Sequence, residues 1–246
     1  KKEILRKVLL KMIYAAEWIL NKIMFIFFSI ILLYGIYAVW DSVQIDHQAD
    51  ISKYKMYRPD DKNSISFEKL QKMNPEVFGW ITIFKTHIDY PLVQAENNHK
   101  YINMDAEGKF SLSGSIFLDC RNKKDFSDVN NIIYGHHMRR KKMFGELELF
   151  QEAKYFKEHR YGKLYYEGKW HKIELFAFLK ADANDPMIYN TNLKSEEGNQ
   201  EYLNYIKRKA QNFRESDFKK QERFVILSTC TSTTANGRYI VVARII

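Results

Sequence analysis

The chain has 246 residues, a formal net charge of +9, 46% hydrophobic residues and two cysteines. That length allows one generous domain with an appendage, or two small domains. The apolar content suffices for a core and excludes general disorder, and two cysteines are too few for a scaffold held by disulfides. Nor does the charge imply nucleic acid as a partner. Lys1, Lys2, Arg6, Lys7, Lys11 and Lys22 crowd the N-terminus, one cluster stands at Arg139-Arg140-Lys141-Lys142, and the remainder is dispersed as on solvated faces.

Residues 1–22 form a basic tail, and residues 23–40 (IMFIFFSIILLYGIYAVW) carry no charge. This run is close to the length that crosses a hydrocarbon core, with Tyr34, Tyr37 and Trp40 placed as interfacial aromatics are. It is apolar on all faces, unlike a core helix with one wet side. The Asp-Ser-Val-Gln that follows lacks the small-residue pattern of a cleavage site. The expectation is an uncleaved, single-pass anchor in the cell membrane. The positive-inside rule then leaves the tail in the cytoplasm and everything after Asp41 outside.

Residues 41–78 are polar and mixed, and read as one or two helices leading to the domain; Ser66 to Met73 has helical spacing, stopped by Asn74-Pro75. From Gly79 the pattern changes to short strands rich in aromatic and β-branched residues. They are expected near residues 80–83, 88–93, 115–118, 131–134, 164–166, 171–179, 224–228 and 239–245, with a hairpin over residues 165–170. Helical stretches are expected at residues 145–157 and 196–214. The fold class is therefore mainly β, a barrel or sandwich over residues 79–246 interrupted by helices.

Three residues at strand ends carry candidate chemistry. Cys230 closes the apolar strand Ile226-Leu227-Ser228-Thr229-Cys230, where a thiol is rigidly held and exposed at its tip. A buried free cysteine would be the bland alternative. His136 follows Gly135 at the end of Asn131 to Tyr134, and imidazole is the usual acid or base near neutral pH. His137 is the reserve. The adjacent pair lacks zinc spacing, and neighbouring side chains on extended backbone point apart, so no metal is expected. Arg238 begins the strand after a loop of residues 231–237, which would return its guanidinium beside the thiol to face a developing oxyanion.

As a set these residues resemble the sortase family, and specifically its class B. The resemblance covers roughly residues 66–246. It rests on Leu227-Ser228-Thr229-Cys230 with Arg238-Tyr239-Ile240-Val241-Val242-Ala243-Arg244, and on Ile133-Tyr134-Gly135-His136-His137-Met138 with Met143-Phe144-Gly145. Gly79-Trp80-Ile81 with Ile88-Asp89-Tyr90-Pro91-Leu92-Val93-Gln94, and Gly114-Ser115-Ile116-Phe117-Leu118-Asp119 with Arg121-Asn122, complete it. The resemblance implies a closed eight-stranded β-barrel with N-terminal helices and a late inserted helix. It implies a cysteine transpeptidase without cofactor. Cys230 would be the nucleophile, His136 the proton shuttle and Arg238 the oxyanion partner. Asn98, Ile102, Tyr134 and Ser228 would line the groove for the sorting signal, with Ile188 and Tyr189 as further candidates. The implied partners are surface proteins bearing a C-terminal sorting motif, of Asn-Pro-x-Thr type, and an amine of the Gram-positive peptidoglycan precursor. Cys120 has no implied role and reads as a half-buried strand thiol. Two rivals remain: a papain-like peptidase, disfavoured because here histidine precedes cysteine, and a tethered barrel that only binds surface peptides or glycans.

Overall fold

The structure is a computed structural model that describes residues 2–59, 65–193, 195–231 and 234–246. The chain divides into two compact units, Lys1–His47 and Gln48–Ile246. The first is almost the whole of helix α1, Lys2–Gln48. It is long and apolar enough to cross a membrane, and none of its most apolar stretch is buried in protein. The sequence reading divided this region at residues 22 and 40. One helix runs across both divisions, because no proline interrupts it and residues 2–22 are mostly good helix formers. Residues 51–53 and 55–57 are 3₁₀ turns rather than regular helix, and α2 spans Ile65–Met73. Residues 60–64 of this stretch lie outside the described set.

The second unit is built on strands β1 (Val77–Ile83), β2 (Asp89–Val93), β3 (Ile116–Leu118) and β4 (Asn130–Tyr134). A 3₁₀ stretch over Gly145–Gln151 and helix α3 (Ala153–Glu158) follow, where a single helix was expected. Then come β5 (Tyr161–Tyr166), β6 (Lys169–Asp182), helix α4 (Glu196–Lys209), β7 (Asn212–Phe213), β8 (Phe224–Cys230) and β9 (Gly237–Ile245). The strands form one sheet in the order β5-β1-β2-β3-β4-β8-β9-β6-β7, and β5 also pairs with β6. Eight strands thus close into a barrel, and the two-residue β7 extends the β6 edge. The β5–β6 hairpin turns on Glu167 and Gly168, whose φ values of 48° and 75° suit a two-residue primed turn.

Helix α4 stops five residues short of the expected Arg214. Its Ser195 cap accepts from the Gly198 amide, and basic residues fill its last turn. Beyond Ala210 the main chain bonds to β6 instead, Gln211 N to Phe178 O and Arg214 N to Phe176 O. Strand pairing there overrides the helical pattern.

Alternation sorts the side chains into two apolar layers. Val225 and Leu227 of β8, with Tyr239, Val241 and Ala243 of β9, fill the barrel interior. Ile226, Ile240 and Val242 point outward, where α4 covers them with Tyr202, Leu203 and Ile206. In the long strand β6 the pairing slips between Leu175 and Ala177. The bulge lets Phe176 and Ala177 both face outward, so that Ile173, Leu175 and Phe178 all stay inside. Phe176 is fully buried in the outer layer, with the rings of Phe213, Phe218 and Phe224 at centroid distances of 5.8, 4.9 and 5.8 Å. Phe176→Ala is expected to destabilise the fold by about 3–5 kcal/mol in urea unfolding. The same change at the more exposed Phe84 is expected to cost under about 0.5 kcal/mol.

Candidate active site

Three neighbouring strands bring the chemistry to one rim of the barrel. β8 and β9 are antiparallel in a register that sets Cys230 directly opposite Arg238. Cross-strand partners present their side chains on the same face, so the thiol and guanidinium emerge together. β4 runs parallel to β8 on its other side, with Tyr134 level with Ser228. The next amide continues the ladder, Gly135 N to Ser228 O at 3.2 Å, and delivers His136 to the same rim. Gly135 supplies room here rather than an unusual turn. A Cβ on it would lie 2.4 Å from Ile116 Cδ1 and 2.8 Å from two ring carbons of Phe144.

All seven residues expected at the site line one cleft of about 630 Å³: Asn98, Ile102, Tyr134, His136, Ser228, Cys230 and Arg238. Tyr189 joins them, stacked on Tyr134 at 6.3 Å and sharing a 2.9 Å hydrogen bond with Ser228 Oγ. Ile188 does not; it is fully buried, and its carbonyl accepts from Asn130 and Tyr202. Cys230 is exposed. Ser232 and Thr233 of the following loop lie outside the described residues.

His136 is half-buried, and its Nε2 lies 2.8 Å from the Ile102 carbonyl oxygen. A carbonyl only accepts, so Nε2 carries the proton in that bond. His137 turns away from the cleft, its Nε2 3.0 Å from Glu148 Oε2 and its ring 6.0 Å from that of Tyr239. Arg238 donates from Nη1 to the carbonyls of Gly237 at 2.8 Å and Ala235 at 3.4 Å. Among the described residues this leaves Nε and Nη2 for another acceptor.

The cleft wall rests on a carboxylate to which the sequence reading gave no role. Asp119 is fully buried at the end of β3. It accepts from Tyr134 Oη at 2.9 Å, Asn98 Nδ2 at 3.1 Å, and both Nε and Nη2 of Arg121 at 2.8 Å. Asn98 is held at its other end by the Cys120 amide, 2.8 Å from Oδ1. Burial alone would raise the Asp119 pKa, but the Arg121 and Tyr134 hydrogen bonds outweigh it and hold the carboxyl below the ordinary range. Burial, then the facing Asp119 charge, pushes the Tyr134 phenol far up, so it remains a donor. Arg121, His99, Phe117, Ala183 and Thr229 also line the cleft and were not anticipated. Their only sequence signal was position, beside residues already singled out or, for Ala183, on a connection with no recognisable pattern. Cys120 sits in the turn after β3, not in a strand, and is half-buried.

Residues 81–246 match the family described as the sortase domain. The chain is 31% identical to sortase B of Staphylococcus aureus over 85% of its own length and 84% of the relative's. Its structure resembles a Streptococcus pyogenes class B sortase involved in pilus biogenesis, with a TM-score of 0.68 and 42% identity, covering 74% of this chain and 98% of that one. It also resembles a Staphylococcus aureus sortase B–substrate complex, with a TM-score of 0.68 and 29% identity over 86% and 96% of the two chains.

Because the folded-state pKa of Asp119 is depressed, its stabilisation is complete above the unfolded carboxylate's value of about 3.9. It is lost as pH falls through the lower folded value. Asp119→Asn is expected to unfold about 1–3 kcal/mol more easily than the parent at pH 7. The gap should close on acidification below roughly pH 4, followed by urea titration at each pH. An equal gap at every pH would show that the charge of Asp119 contributes nothing.

Proposed function

The chain belongs to the sortase family, in its class B, and from that premise we propose that the cleft catalyses cysteine transpeptidation on surface proteins. The observation that carries the reading is the pairing of Cys230 with Arg238 across β8 and β9, with His136 on the same cleft wall. The Cys230 thiolate attacks the threonine carbonyl of a C-terminal sorting motif, of Asn-Pro-x-Thr type. The tetrahedral oxyanion falls to the free guanidinium N–H groups of Arg238. His136 gives its proton to the departing amine as the carbon–nitrogen bond breaks, leaving a thioacyl enzyme. The imidazole then takes a proton from the incoming amine, which displaces the thiol. Asn98, Ile102, Tyr134, Tyr189 and Ser228 supply a wall of mixed polarity for the peptide, and no cofactor enters the reaction.

The acceptor of the first reading is an amine of the peptidoglycan precursor. A sortase B has been crystallised in complex with triglycine, a peptide that begins with a free primary amine. A second acceptor is favoured by the streptococcal relatives at 42% identity, one involved in pilus biogenesis and one from a type II pilus. For this chain that second acceptor would be an amine on another surface subunit. In either case α1 serves as a signal anchor in the cell membrane, with the N-terminus cytoplasmic and the catalytic domain outside among its substrates.

Incubation with sorting peptides, with and without primary amines, and read by mass spectrometry, tests the reaction directly. The expected product is a new amide at the threonine, and a Cys230 thioester when acceptor is withheld. Release of free acid alone at equal rate with or without amine would make the protein a peptidase. Cys230→Ala is expected to abolish cleavage while leaving the fold intact, since an exposed thiol leaves no cavity.

Arg238→Lys keeps the charge but loses the planar fork. It should lower turnover by about a hundredfold or more if the fork binds the oxyanion. Near-normal turnover in that variant would reduce Arg238 to a charge partner.

A further inference from the structure

The histidine of the proposed reaction is held by main chain, and the hold depends on one residue outside the cleft. Residues Lys100–Ile102 form a short 3₁₀ turn, and its last carbonyl receives His136 Nε2 at 2.8 Å. Against the back of that turn lies Gly114, with φ of +58°. A Cβ there would stand 2.5 Å from Ile102 O, 2.6 Å from Tyr101 O and 3.0 Å from His136 Cδ2. The two segments are stitched by Ser115 N to Tyr101 O at 3.0 Å, Ser111 N to Asn103 O at 3.0 Å, and Ser115 Oγ to Met104 O at 2.8 Å.

We propose that Gly114 is a positioning residue for His136: its missing side chain lets the Ile102 carbonyl close on Nε2, which leaves Nδ1 as the nitrogen that exchanges protons in the cleft. This rests on the transpeptidase reading of the site. The carbonyl accepts a hydrogen bond whether the imidazole is neutral or charged, so Nε2 stays protonated throughout the cycle. Nδ1–H passes its proton to the leaving nitrogen, which takes the electron pair of the breaking amide bond. The neutral Nδ1 then receives a proton from the acceptor amine as the new carbon–nitrogen bond forms and the thiolate departs. Asn98, His99 and Ile102 are cleft residues on the same short segment. A sorting peptide that presses on this segment therefore acts on the carbonyl that aims the histidine, which ties substrate occupancy to the placement of the proton donor.

The tautomer is read by nitrogen NMR of the full chain in detergent with ¹⁵N-histidine, His136 being assigned by the signal lost in His136→Gln. The expected result is a titration in which Nδ1 gains and loses its proton while Nε2 remains protonated. A neutral form carrying its proton on Nδ1 overturns the proposal. For Gly114 itself, Gly114→Ala is expected to lower kcat for a sorting peptide about a hundredfold, as ångström-scale misplacement does, with KM changed less than about threefold. Gly108→Ala is the control. Gly108 also has positive φ, +83°, but nothing lies within 4 Å of its added Cβ. It carries the backbone strain without the collision and should keep kcat within about twofold of the parent. Wild-type kcat in Gly114→Ala, or an equal loss in Gly108→Ala, overturns the positioning role. If the parent itself turns over no sorting peptide, the transpeptidase reading falls, and the NMR titration still decides which nitrogen is free. It decides equally if Gly114→Ala does not fold.

Discussion

The site depends on the side-chain alternation of β8, a strand held on both edges. β4 lies parallel on one side and β9 antiparallel on the other, and both registers are continuous along it. With its pairing fixed, every second residue of β8 enters the barrel core and the others face outward. Val225 and Leu227 bury on the inside, and Ile226 buries under α4. Ser228 and Cys230 follow on that same outward face, where the covering helix gives way to the cleft. A slip of one residue in either register would turn the thiol toward the barrel interior and send Leu227 to the outward face. The apolar core thus fixes the direction of the Cys230 thiol.

The same rule distinguishes the two adjacent histidines. Ile132 belongs to the outer layer and Ile133 to the inner, so the alternation carried through Tyr134 sends His136 outward. His137 turns toward Tyr239 and Glu148 and helps pin the loop after the strand. This much was legible in the sequence, since the Gly-His junction, the short apolar strands and the order of the motif blocks all sit in contiguous residues. The three chemical groups also lie at strand ends, where pattern alone announces a boundary.

What was not legible depends on contacts distant along the chain. Besides its bonds to Arg121 two residues on, Asp119 reaches Asn98 and Tyr134, 21 and 15 positions away. No spacing rule links Asp119 to Asn98 or Tyr134. The bulge at Leu175 to Ala177 hides inside an unbroken apolar run, because Leu-Phe-Ala-Phe reads equally well with or without a slip. The end of α4 was misplaced because residues 210–214 keep a helical pattern while their main chain pairs with β6. Ile188 and Tyr189 are neighbours of opposite fate, one sealed within the outer layer and the other in the cleft. Only the path of the connection after β6 separates them.

The division into two apolar layers has a consequence for how the molecule comes apart. The barrel interior is enclosed by strands paired on both edges, whereas the outer layer is covered by α4, a helix of 14 residues, together with Ile188, Phe213 and Phe218. Tyr134 and Tyr189 of the cleft pack against that outer layer. Elements of this kind open as separate cooperative units, the less enclosed one first. Lifting α4 would loosen the Tyr134 and Tyr189 wall of the cleft while the barrel keeps its strands and its secondary-structure signal. The cleft and the global fold would then have separate melting points, and a sample that looks native by circular dichroism could already have lost the shape of its cleft.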